Sequence, residues 1–165
     1  MSLSTHTRRQ LSYAEGYLLL GMKVQAAEAL DQISGEDRDA TPVLAMWMTV
    51  HNERGDWAHA AEAGAVVCDR EPQIAHHWIQ WAYATRRHAG IAAARDILAR
   101  MQAHASHEDV PREAVFHFNL ACYEAQLGHL DDARAFLDTA CGLEADFSEF
   151  AKTDPDLAPL RDRAS

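Results

Sequence analysis

Small and large apolar residues recur along this chain in a fixed order, and the order repeats. Ala26, Ala60, Ala94 and Ala133 are separated by 34, 34 and 39 residues. Four positions after them stand Leu30, Gly64, Leu98 and Leu137, and three further on Ile33, Val67, Met101 and Ala140. Steps of three and four keep these positions on one helix face. Twelve residues before each alanine comes a second series, Ala14, Met48, Ala82 and Ala121, each preceded by a large residue: Tyr13, Trp47, Trp81 or Leu120. A small residue beside a large one marks a helix crossing. Between the two series lie Gly21, Gly55, Gly90 beside Ala89, and Gly128, where the end of a helix needs a residue tolerant of positive φ. The pattern predicts helix, turn, helix four times, over 7–20 and 23–33, 41–53 and 57–69, 74–88 and 91–103, 112–127 and 130–142.

Helices of this length are marginal alone, because nucleation is costly and each leaves an apolar stripe that only a neighbour covers. Stacking must therefore supply the core, and the whole chain, 1–165, reads as a single domain with repeats near 7–40, 41–74, 75–108 and 114–147. The five residues beyond a strict period fall in the polar stretch His104 to Arg112, expected to be an exposed loop. The segment 147–165 comes after the last repeat. Asp154-Pro155 is a helix-start pair and Pro159 limits regular helix beyond it. Phe147, Phe150, Leu157 and Leu160 are expected to cap the last repeat.

This order of residues resembles the tetratricopeptide repeat: a large apolar and a small residue on the first helix, a turn glycine, then an alanine and a large apolar residue on the second. The resemblance runs over about residues 7 to 146, with Tyr13-Ala14, Tyr17, Gly21, Ala26 and Leu30 in the first unit and Trp78, Trp81-Ala82, Ala94 and Leu98 in the third. It implies an all-α, right-handed solenoid of four hairpins with a short C-terminal capping segment like the ending of many bacterial proteins of the family. Three departures stand out. Met48 and Gly64 reverse the expected sizes in the second unit, Glu124 stands where an aromatic is usual, and only Pro72 fills the terminal proline position. A size swap between Met48 and Gly64 would conserve volume within that hairpin.

Composition narrows the class. Apolar residues make up 48% of the chain, charged residues 24% and aromatic residues 8%, as in a folded helical domain and unlike a disordered chain or a sheet protein. With 25 acidic against 15 basic residues the formal charge is −10, which repels nucleic-acid phosphates and anionic membranes. No nucleic-acid or membrane partner is expected. The longest apolar run, around Tyr17 to Leu20, is too short to span a bilayer, and Glu15 interrupts any secretion signal begun by Arg8-Arg9. Cys68, Cys122 and Cys141 are odd in number and far apart, which suits a reducing compartment and points to the cytoplasm.

Chemistry has few footholds in the sequence. There is no phosphate-binding glycine loop, nucleophile elbow, HExxH helix or calcium loop, so neither an enzyme nor a cofactor is expected and no metal ligands are assigned. The sharpest metal candidate is His104, His107, Glu108 and Asp109, against which stands a plain solvated loop. His76 and His77 read as polar contacts at a helix start. Cys122 is either a reactive thiol or a small buried hydrophobe.

A different face of the first helices remains for a partner. With Trp78, Trp81, Ala82 and Thr85 facing the stack, Ile79, Tyr83, Arg86 and Arg87 lie about 100° around the helix. The resemblance implies that this side lines a concave peptide-binding groove, with Met46, Thr49, Asn52, Gln80, Phe118, Asn119, Cys122 and Gln126 beside them, and Leu11, Glu15 and Leu18 at the first unit. Arg86 and Arg87 are placed either to meet acidic groups of a ligand or to complement the helix dipole. A clamp for acidic chaperone tails is disfavoured, because the corresponding places hold Leu11, Glu15, Met46, His76 and Gln80. The resemblance implies an adaptor or scaffold that binds a protein or peptide segment. A chaperone for a secreted or translocator client of type III secretion is the alternative, and a metal- or thiol-dependent enzyme a distant third. A weak homodimer through the thinly covered first unit is also expected.

Overall fold

Gly21, Gly55, Gly90 and Gly128 all have positive φ, 74° at Gly55 and 85° at Gly128, so the turn residues fall where the repeat places them. The computed structural model describes residues 2–104 and 113–162. Its helices pair across these turns: α1 (Thr5–Leu19) with α2 (Lys23–Asp31), α3 (Thr41–Arg54) with α4 (Trp57–Arg70), α5 (Ala75–Ala89) with α6 (Ile91–His104), and α7 (Ala114–Leu127) with α8 (Leu130–Leu143). Two short helices complete the chain, α9 (Phe147–Thr153) and α10 (Ala158–Asp162), joined by a 3-10 turn at Pro155–Leu157. The described residues are all-α, without a strand. The expected His104–Arg112 loop, including the His104, His107, Glu108 and Asp109 candidate, rests on side chains outside the described residues.

Both small-residue series mark the helix crossings. Ala26, Ala60, Ala94 and Ala133 are fully buried, and so are Ala14, Met48, Ala82 and Ala121. Around them the core forms two clusters. Leu30, Ile33, Val43 and Val50 fill the first two hairpins. Trp78, Leu98, Met101, Phe116, Leu120, Leu157 and Leu160 fill the rest. Burying each large aliphatic side chain contributes about 1.5–3 kcal/mol.

The irregular positions are compensated across hairpins rather than within them. Gly64 does not answer Met48. A Cβ at Gly64 would lie 2.7 Å from Cβ of Trp81 and 2.8 Å from its Cγ, so the glycine admits the Trp81 side chain of the next unit. Glu124 is buried because it accepts from Arg95 Nε at 2.8 Å and stands 2.6 Å from His129 Nδ1, which joins α6, α7 and the last turn. The hydrogen bond with Glu124 also raises the pKa of Arg95.

The two ends are finished differently. At the start, Ser4 caps α1 by accepting from Thr7 N at 3.1 Å, and Asp37 accepts from Thr7 Oγ1 at 2.6 Å and Ser4 N at 3.1 Å. These bonds lower the Asp37 pKa. Tyr13, expected at a helix crossing, is 51% exposed; among the described residues no surface packs on it as Gly64 of the second hairpin does on Trp81. At the other end Leu157 and Leu160 are buried as expected, and Phe147 packs against the core. Phe150, also expected to cap the stack, points largely to solvent; its ring touches the edge of Phe147 instead.

Candidate functional site

The first helices of successive hairpins share one surface, and its two halves differ. Between α1, α3 and α5 lies a hollow of about 370 Å³ lined by Glu15, Leu18, Met46, Glu53, His76 and Gln80, among others. A second of about 340 Å³ continues it past Pro42, Ala45, Thr49 and Ile74. A string of polar groups crosses the floor. Thr49 Oγ1 lies 3.1 Å from Gln80 Oε1, the Gln80 amide nitrogen lies 2.6 Å from His76 Nε2, and Asn52 Nδ2 is 3.4 Å from the Gln80 carbonyl. The Thr49 hydroxyl, also 3.1 Å from the Ala45 carbonyl, shares its proton with the Gln80 amide oxygen, and the Gln80 amide N–H is directed at the His76 ring nitrogen. Larger hollows of about 600 and 660 Å³ lie along another edge, where the first helices begin, and are lined by loop and helix-start residues.

Over α7 the same surface is filled by the chain's own C-terminal segment. Asp156 Oδ2 meets Arg86 Nη2 at 2.5 Å, and Gln126 Nε2 donates to the Asp156 carbonyl at 2.8 Å. The Phe118 and Phe147 ring centroids are 4.9 Å apart. The segment is braced from within: Arg161 donates to the Ala151 and Asp154 carbonyls at 2.8 and 2.9 Å, and the Asp154 side chain accepts from Asp156 N at 2.8 Å. Phe118 keeps 8% of its surface exposed and Cys122 4%. Burial, reinforced by the Asp154 and Asp156 charges, pushes the Cys122 thiol up to about 12 against the opposing pull of Arg86. Burial likewise raises Tyr123 to about 12, with the Arg86 guanidinium 5.7 Å from its ring centroid. A protonated, covered thiol is a poor nucleophile.

The twelve groove residues expected on the second, third and fourth units thus separate into groups. Met46, Thr49, Asn52 and Gln80 come together on the open half. Arg86, Phe118, Cys122 and Gln126 lie under or against the tail, so the acidic group that meets Arg86 belongs to the protein itself. Ile79 packs against the core and Asn119 is half-buried. Tyr83 and Arg87 turn toward Trp57: the Tyr83 ring stands edge-on to it at 5.6 Å, and the Arg87 guanidinium lies 5.4 Å from the indole and 5.2 Å from the phenol. Sequence reasoning missed Glu53 and read His76 as a polar contact at a helix start. The signal for His76 was its position four residues before Gln80, one turn along the same face.

An all-helical stack of hairpins with turn glycines, alanine crossings and a helical C-terminal cap is the fold of tetratricopeptide-repeat solenoids. No family model and no curated protein sequence matches the chain. Among solved structures it is similar to TTC0263, a thermophilic tetratricopeptide-repeat protein of Thermus thermophilus, with 20% identity over 96% of this chain and 83% of that one and a TM-score of 0.71. It is also similar to MamA of AMB-1, with 14% identity, 98% and 90% coverage and a TM-score of 0.71. MamA of MSR-1 aligns with 15% identity, 97% coverage of both chains and a TM-score of 0.64. Among the described residues no helix is long and apolar enough to cross a membrane.

Proposed function

We propose that this protein is a non-catalytic adaptor that holds an extended segment of a partner protein across α1, α3 and α5. The observation behind this reading is the tail on α7. There one stretch of peptide is held by an arginine on a carboxylate, a glutamine on a backbone carbonyl and leucines in the core. The neighbouring half of the same surface offers a comparable mixture with none of the described residues lying on it: Met46 and Leu18 for an apolar side chain, and Thr49, Asn52, Gln80 and His76 for main-chain hydrogen bonds. Its walls carry Glu15 and Glu53 where the tail meets Arg86, so the preferred segment has a basic residue beside an apolar one. Lys23, 3.1 Å from Glu53 Oε2, occupies that carboxylate until such a ligand arrives.

Site-specific photocrosslinking in the native cell tests the reading. A probe at Gln80 should give a discrete partner adduct and one at Glu62, on the exposed side of α4, should not. Met46→Glu should abolish the Gln80 adduct. Equal adducts from both positions, or a Gln80 adduct indifferent to Met46→Glu, would contradict it.

A further inference from the structure

The turn of the second hairpin brings together three side chains that the groove does not use. His51 sits in the last turn of α3, Asp56 at the N-cap of α4 and His59 in the first turn of α4, so the reversal at Gly55 folds a five-residue and a three-residue step onto one point. His59 Nδ1 is 2.8 Å from Asp56 Oδ1, and His51 Nδ1 is 3.1 Å from Asp56 Oδ2. All three ligating atoms lie within 4.8 Å of one another. The rings are held in place: His51 stacks between Trp47 at 5.2 Å and His59 at 5.3 Å. His51 Nδ1 is buried yet makes no hydrogen bond, because its approach to the carboxylate is close but off line. A buried nitrogen whose neighbouring carboxylate stands at 3.1 Å but outside hydrogen-bond geometry asks for an explanation.

We propose that His51, Asp56 and His59 form a binding site for a divalent transition metal, with zinc as the expected occupant. Zinc takes nitrogen and carboxylate ligands at about 2.0–2.2 Å in a tetrahedron, whose edges are then about 3.3–3.5 Å. Measured to the shared Asp56 Oδ2, the nitrogen-to-oxygen edges are 2.9 Å for His59 Nδ1 and 3.1 Å for His51 Nδ1, so seating the ion asks these edges to lengthen by a few tenths of an ångström, a movement the exposed His59 side chain can supply. Two imidazoles and one carboxylate form a borderline donor set that favours zinc, copper or nickel over magnesium or calcium. Each ring binds as its neutral Nε2–H tautomer with Nδ1 on the ion, and the fourth position is left for water. Glu62 adds negative charge beyond His59, while Arg54 opposes it near His51. The other ligand cluster, Cys122 with Asp154 and Asp156, is a poor rival, because Arg86 already occupies the Asp156 carboxylate and the thiol is held protonated.

Isothermal titration of the whole chain with zinc, and visible absorption on titration with cobalt(II), test the site. One equivalent should bind in the micromolar range, with cobalt d–d bands of tetrahedral intensity and a thermal midpoint that rises with zinc concentration. His59→Gln and Asp56→Asn should each weaken binding by roughly 10-fold or more, while the double variant His104→Ala/His107→Ala should bind as the parent does. His59 is exposed, so its variant serves as a folded test even where Asp56→Asn is perturbed. Absence of zinc binding throughout the micromolar range, or binding lost in the His104/His107 variant and kept in His59→Gln, would overturn the proposal.

Discussion

The first and last hairpins use the same small-residue crossings and finish in opposite ways. At the last, Phe118 and Cys122 are almost wholly covered, because the tail lays Leu157 and Leu160 into the core and Asp156 onto Arg86. At the first, Leu19 and Leu20 are 84% and 74% exposed, and the Ser4, Thr7 and Asp37 hydrogen bonds tie the start of α1 to the connection before α3. A repeat buries its apolar face only where a neighbour stands, so the contrast arises from position in the stack. Along the surface shared by the first helices, the same asymmetry separates a half covered by the tail from a half that no described residue covers.

Breaking the covered end should give the largest effect. Leu157→Ala removes a fully buried side chain and should cost about 2–4 kcal/mol of tail docking, read as a lower denaturant midpoint for a probe near Phe118. The seam between the two core clusters comes next. Gly64→Ala gains helix propensity but drives a methyl into Trp81 Cβ, which no side-chain rotation relieves, and should destabilise by about 1–3 kcal/mol. Arg95→Ala leaves buried Glu124 with His129 alone. A fully buried pair broken in this way costs about 3–5 kcal/mol; Arg95 is about a third exposed, so about 1–2 kcal/mol is expected after solvent screening. At the open end Leu20→Ser should change stability by less than about 0.5 kcal/mol, since nothing there covers the side chain.

The smallest effect is a pH dependence confined to the first hairpin. Hydrogen bonds from Thr7 and Ser4 hold the Asp37 carboxyl below its ordinary 3.8. Their stabilisation is therefore complete above the unfolded value and is lost as pH falls through the lower folded one. Amide exchange at the start of α1 should accelerate over that acid range, and Asp37→Asn should remove the pH dependence.

Most of the helical frame was legible because it is local and periodic. The turn glycines, the alanine crossings and the eight paired helices arise from spacings within one unit, and their ends fall within two residues of expectation. What the period could not carry are contacts between units. Trp81 against Gly64, Arg95 with Glu124, and Arg86 with Asp156 each join residues from different units and repeat nowhere else among the described residues. For the same reason the groove was legible as a face but not as a free surface: helical spacing puts Phe118, Cys122 and Gln126 on it, and only the path of the tail decides that they are covered. The His51, Asp56 and His59 convergence escaped notice because its step of five, from His51 to Asp56, crosses the Gly55 turn, where helical spacing does not apply.

Thiol labelling of the intact chain tests the central contrast most directly. Cys122 and Cys68 are both buried with thiols near 12, while Cys141 is half-exposed. If the tail covers the fourth unit, Cys122 should react far more slowly than Cys141 in the parent protein. In Leu157→Asp, Cys122 should become reactive while Cys68 stays protected. Rapid labelling of Cys122 in the parent, or equal release of Cys122 and Cys68 in the variant, would contradict the account.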